Sequence, residues 1–161
     1  MSKKKVYSGT RKFYIAYGSN LDISRMAVRC PQAEVYGSGW LDDWEMIYRG
    51  SKTGNYATIR PAKRKFVPVG IWTITRLDEA MLDRYEGYPR FYHKKTITVR
   101  MDNGEIIEGL VYIMRKDAKP GVPSEDYIDR IYQGYGDFGL NYFYLRDSLI
   151  LNMQEVKRER P

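Results

Sequence analysis

The chain alternates between short β-branched and aromatic runs over its first two thirds and turns helical in its last third. Lys12 to Tyr17 reads as a first strand. It stops at Gly18-Ser19-Asn20, a turn signal. Asp22 or Ser24 can cap a short helix to about Arg29, which Pro31 ends. Glu34 to Tyr48 is aromatic and partly alternating. Tyr56 to Arg60 predicts a strand stopped by Pro61. Val67 to Ile74 predicts another, with Pro68 and Gly70 suggesting an edge or a bulge. Tyr92 to Met101 and Glu105 to Met114 predict a hairpin across Asp102-Asn103-Gly104, where Asn-Gly suits the positive φ angles of a type I′ turn.

Three longer helical patterns follow, the first two with start signals at Thr75 and Ser124. Thr75 to Asp78 is a capping box, with Leu77, Met81, Leu82 and Tyr85 as the expected apolar face and Gly87 as the stop. Ser124 opens a second pattern through Tyr127, Ile128, Ile131, Tyr132 and Tyr135, which Gly134 and Gly136 are expected to end. Leu140 to Glu155 predicts a third. Strands followed by helices predict an α+β fold, a mostly antiparallel sheet or small β-barrel with flanking helices. With no internal repeat or linker, the chain divides into a flexible basic N-terminus (1–11), one domain (12–155) and a basic C-terminal tail (156–161).

Composition removes several chemistries. The 161 residues contain one cysteine, Cys30, and one histidine, His93. These cannot form a disulfide framework or a thiolate or histidine zinc site. The chain has no nucleophile elbow, Walker loop or Gly-x-Gly-x-x-Gly. The expected chemistry therefore rests on carboxylates, tyrosines, hydroxyls and backbone amides, without metal or cofactor. No apolar run is of membrane-spanning length and no secretory signal follows the basic start, so a cytoplasmic protein without membrane association is expected. The net charge of +7 is spread over loops and ends, and most simply reads as solvated surface. The 15 tyrosines, interleaved with basic residues, could make a nucleic-acid face, but no motif of such a module accompanies them. The oligomeric state stays open, a homodimer included.

Two constellations could carry chemistry. Tyr17-Gly18-Ser19-Asn20-Leu21 joins a strand end to a helix start, so successive amides could hold a carboxylate; the same residues also make an ordinary turn. Glu86 follows Leu82 by one turn and lies at the helix end, where dipole and burial would both raise its pKa toward that of a general base. By itself that pattern is more often a surface glutamate at a fraying helix end.

The order of segments decides between these readings. Phe13-Tyr14-Ile15-Ala16-Tyr17-Gly18-Ser19-Asn20-Leu21, Tyr56-Ala57-Thr58-Ile59, Val69-Gly70-Ile71-Trp72 and Leu82-Asp83-Arg84-Tyr85-Glu86-Gly87 together resemble the γ-glutamylcyclotransferase-like family. The later Tyr112-Ile113-Met114, Pro123-Ser124, Tyr127, Gly134 and Gly139-Leu140 keep the family's order. The resemblance implies a barrel-like α+β fold with a cavity at one end. It assigns Tyr17, Gly18, Ser19, Asn20 and Leu21 to holding a γ-glutamyl group and Glu86 to catalysis. Tyr92 and Tyr144 fall where relatives line the cavity. The implied substrate is a small γ-glutamyl compound, an amino acid, peptide or amine conjugate, cyclised to 5-oxoproline. A non-catalytic module on the same fold would be expected to lack the glutamate, and Glu86 is present.

Overall fold

The computed structural model describes residues 4–5, 11–50 and 53–159. The remaining residues of the expected N-terminal segment, with Ser51, Lys52 and the last two residues of the expected tail, lie outside them. In chain order the elements are β1 (Lys4–Lys5), β2 (Arg11–Ala16), a 3-10 turn (Ser19–Leu21), α1 (Ile23–Arg29), β3 (Glu34–Gly50), β4 (Asn55–Thr75), α2 (Arg76–Glu86), β5 (Tyr92–Met101), β6 (Ile106–Met114), α3 (Glu125–Phe138) and α4 (Tyr142–Glu159).

The long strands close on themselves. Their order is β6-β2-β4-β3-β5, and β5 pairs again with β6. Most pairings are antiparallel; β2 meets β6 in parallel at Tyr14 and Leu110. The result is a five-stranded barrel with four flanking helices, the expected α+β class. Closure removes free sheet edges, and β2 between β6 and β4 is also packed on both faces, with Phe13, Tyr14, Ile15 and Ala16 all buried in the core.

Several local expectations change. β4 does not stop at Pro61. It pairs Pro61 with Trp44 and resumes with Phe66 opposite Asp42, so Ala62 to Lys65 bulge out opposite Asp43 alone. Asp43 and Arg64 take positive φ there, and the Arg64 amide donates to Asp43 Oδ1 at 2.9 Å. Pro68 is in a barrel strand rather than at an edge; it lies past the last β2 pair, Ala16 with Gly70, and only β3 pairs with it. The β5–β6 turn is not type I′. Only Gly104 is at positive φ (91°), while the Gly104 amide donates to Met101 O and the Met101 amide to Glu105 O. This is a three-residue connection with glycine in the left-handed position.

The helices start where their caps predicted. Asp22 accepts from the amides of Ser24 and Arg25. Thr75 and Asp78 form the full capping box, and Ser124 accepts from Tyr127 N–H. Of the expected apolar face of α2, only Leu82 is buried. Leu77 is 62% exposed, and Met81 and Tyr85 are exposed as well. The buried pair is Asp78 and Leu82, the capping carboxylate taking an inward position at helical spacing. Glu86 is next along that stripe.

Gly134 and Gly136 do not end α3, which continues to Phe138 and turns at Gly139 (φ 66°). Gly134 serves packing: a Cβ there would lie 2.3 Å from Leu21 Cβ. The helix is thereby seated directly on the Ser19–Leu21 turn. α4 runs to Glu159, beyond the expected end at Glu155. Its Glu155 joins Arg49 on β3 (2.7 Å) and Arg60 on β4, which in turn meets Glu45 (2.6 Å). Cys30, after α1, is 1% exposed, and its thiol donates to the Asp78 carbonyl on α2 at 3.6 Å.

Candidate active site

A cavity of about 380 Å³ opens at one end of the barrel. Six separate stretches meet there. The end of β2 and the turn after it contribute Tyr14, Tyr17, Gly18, Ser19 and Asn20. The end of α2 contributes Tyr85 and Glu86, and Tyr56 and Ala57 come from β4. Tyr92, Tyr112 and Tyr127 come from β5, β6 and α3.

The loop after β2 is a single 3-10 turn. Its first bond is Leu21 N–H to Gly18 O, followed by Asp22 N–H to Ser19 O. That pattern leaves the Ser19 and Asn20 amides without intrahelical partners. The loop is held from behind. Tyr17 donates to Tyr112 O at 2.7 Å, and Trp72 Nε1 donates to Asn20 O at 3.1 Å. Leu21 is fully buried and packs on α3 at Gly134, so it anchors the loop and is not part of the cavity wall.

Glu86, the last residue of α2, faces this loop across the cavity. Among the described residues nothing donates a hydrogen bond to its carboxylate. Burial pushes its pKa up to about 7, against an opposing pull from Arg29. The Arg29 guanidinium lies 3.2 Å from the centre of the Tyr85 ring and donates to Asn20 Oδ1. It therefore ties the loop to the helix that carries Glu86. The cationic face contact and the charge-assisted bond both favour this placement.

Tyr92 lines the cavity, its hydroxyl donating to Ala57 O at 2.9 Å. Tyr144 is not brought there. It sits in the first turns of α4, edge-on to Trp40 with ring centres 5.0 Å apart. The α4 helix lies against β3 and β4 beside a separate space of about 30 Å³, which fixes Tyr144 away from Glu86. Sequence reasoning missed Tyr14, Arg29, Tyr112 and Tyr127. Tyr14, Tyr112 and Tyr127 fall within the segments that resemble the family, but the resemblance assigns them no role in the site. The one available signal for Arg29 was its place at the end of a capped helix. Among the described residues no three histidine, cysteine or carboxylate side chains cluster as metal ligands would.

The family model described as gamma-glutamyl cyclotransferase, AIG2-like, matches residues 14–129, which contain the whole cavity wall. No curated protein matches the chain significantly in sequence. Among solved structures, an uncharacterized protein from Homo sapiens superposes with TM-score 0.80 at 26% identity, over 86% of each chain. A structure titled gamma-glutamyl cyclotransferase gives TM-score 0.79 at 26% identity, over 85% of each chain. YkqA from Bacillus subtilis shares the fold at 17% identity with TM-score 0.75, over 88% of this chain and 55% of that longer one. The loop after β2 and the glutamate closing α2 both lie within the matched residues, and the match spans most of the sequence: the chain belongs to the AIG2-like gamma-glutamyl cyclotransferases.

Proposed function

We propose that the protein cyclises a γ-glutamyl amino acid, peptide or amine to 5-oxoproline and releases the free amino acid or amine. The observation that carries this reading is the pairing of a carboxylate with a pKa of about 7 and a loop whose Ser19 and Asn20 amides have no intrahelical partner, across one small cavity. The loop amides of Ser19 and Asn20 suit the substrate's α-carboxylate. The substrate supplies its own nucleophile, its α-amine.

Glu86, as the carboxylate, takes a proton from the α-ammonium. The freed nitrogen attacks the γ-carbonyl carbon, forming the ring C–N bond and an oxyanion. Collapse of that intermediate breaks the original amide C–N bond as the leaving nitrogen takes the proton from Glu86. The ring nitrogen then returns its surplus proton to the Glu86 carboxylate, which passes it to the released amine, so the lactam leaves as a neutral N–H and the amine as an ammonium. One group near neutrality serves each transfer in turn. Holding the chain curled supplies much of the remaining advantage, since an oriented intramolecular attack avoids the entropy of a bimolecular one. The single thiol, Cys30, is compatible with a reducing compartment, and we place the enzyme in the cytoplasm.

The test is 5-oxoproline release across a panel of γ-glutamyl amino acids, peptides and amines. Glu86→Gln should lower kcat by more than ~100-fold, the scale of general acid–base catalysis. A variant retaining near-normal release on every substrate the wild type turns over would refute the assignment. The panel also identifies the leaving group.

A further inference from the structure

The cavity wall carries many tyrosines, and their hydrogen bonds divide them by what becomes of the phenolic proton. Tyr17 gives its proton to Tyr112 O, Tyr92 to Ala57 O, and Tyr112 to Asp83 Oδ1 at 2.6 Å. Those three hydroxyls are spent on the protein. Tyr14 differs: its oxygen receives a hydrogen bond from Asn20 Nδ2 at 2.9 Å, and among the described residues nothing accepts its proton.

That polarity is set one residue further back. A guanidinium has donors only. Arg29 therefore requires the oxygen of the Asn20 side chain toward it, and Nδ2 must point at Tyr14. The Tyr14 oxygen is thereby committed as an acceptor, and its O–H is left over. Tyr14 is 4% exposed and lines the cavity, so the cavity is where that proton can be used. Tyr127 also accepts, from Ala57 N–H, but its oxygen lies 3.4 Å from where a Gly18 Cβ would be, over the loop that suits the substrate's carboxylate.

Resting on the reaction proposed above, we infer that Tyr14 donates a hydrogen bond to the γ-carbonyl oxygen as it becomes an oxyanion, with Arg29 and Asn20 as positioning residues that keep its proton facing the substrate. No proton is transferred in this role. The O–H strengthens its bond as charge develops when the ring C–N bond forms, and relaxes when the amide C–N bond breaks. Burial first, and the nearby Glu86 charge second, hold the phenol well above its usual pKa, so it remains a protonated donor. Donors aimed at an oxyanion act mainly on kcat.

The experiment is steady-state kinetics of 5-oxoproline release by the wild type, Tyr14→Phe, Asn20→Asp and the double variant. Tyr14→Phe should lower kcat on the order of 10²-fold with KM within about threefold. Asn20→Asp keeps a partner for Arg29 but offers Tyr14 a second acceptor, which turns the phenolic proton back into the wall. It should cost a similar factor in kcat. In the Tyr14→Phe background the same change should cost almost nothing more, because the proton it captures is already gone. A kcat for Tyr14→Phe within threefold of wild type overturns the inference, as does multiplication of the two losses in the double variant. Thermal melts of each variant identify a folding defect, and Asn20→Asp keeps the test decisive if Tyr14→Phe is unstable. A wild type that releases no 5-oxoproline from any γ-glutamyl compound refutes the reaction itself, and with it the role of Tyr14.

Discussion

Glu86 holds its proton to an unusually high pH, and that has consequences for both rate and stability. Its carboxyl titrates near 7 in the folded protein against an ordinary 4.5, chiefly through burial. Between those values the folded state binds a proton that the unfolded chain has released, so stability falls as pH rises across the window. The contribution is intact below about 4.5 and lost above about 7. Glu86→Gln carries no charge, so relative to wild type it should gain about 2 kcal/mol between pH 5 and pH 8, discounted from the full shift because the group opens onto the cavity. Thermal melts at the two pH values read this as a widening difference of several degrees. A constant difference would mean the carboxyl is not desolvated. The wild-type rate should move oppositely, kcat/KM rising with pH through about 7 as the base loses its proton.

At the scale of elements, the sequence showed its capping chemistry most clearly. Asp22, Thr75 with Asp78, and Ser124 each start the helix they predicted, because a cap is a local hydrogen bond. Gly134 was misread for the opposite reason: its role depends on Leu21, more than a hundred residues away in sequence. A helix-breaking residue placed where α3 meets the substrate loop is a contact requirement that no local pattern reveals. Gly134→Ala should therefore lower stability by about 1–3 kcal/mol despite alanine's better helix propensity. It should also raise KM, since the Ser19–Leu21 turn must shift to make room. Unchanged melting and KM would show that the turn yields freely. The face of α2 was misread in a similar way. Apolar periodicity favoured Leu77, Met81 and Tyr85 along with Leu82, while the buried cap Asp78 joins Leu82 alone in setting the rotation that aims Glu86 inward.

At the scale of the whole molecule, barrel closure was legible as a class but not as a register. Alternation in Glu34 to Tyr48 marks a strand; it cannot tell that four residues of β4 will bulge past Asp43. The site was legible in its loop and its glutamate through family resemblance. Tyr112 and Tyr127 enter it only because closure brings β6 and α3 to the same end. Long-range ion pairing also appears only at this scale. Glu155 of α4 sits between Arg49 and Arg60, with Arg49 and Glu155 only 11% and 13% exposed. Glu155→Gln should cost about 2 kcal/mol by leaving the enclosed Arg49 charge unpaired, less than a fully buried pair because Arg60 is 36% exposed. Chemical denaturation would register this as a lower midpoint at unchanged slope.

The lone thiol acquires a meaning in this arrangement. Cys30 closes the seam between the helix ending in Arg29 and the helix ending in Glu86, and burial pushes its pKa up to about 12. An alkylating reagent meets a protonated, enclosed sulfur as long as that seam is shut. With no second cysteine in the chain to compete, the speed of labelling becomes a clock for how often the two helices part, and so for how often the support behind the Glu86 wall of the cavity comes undone.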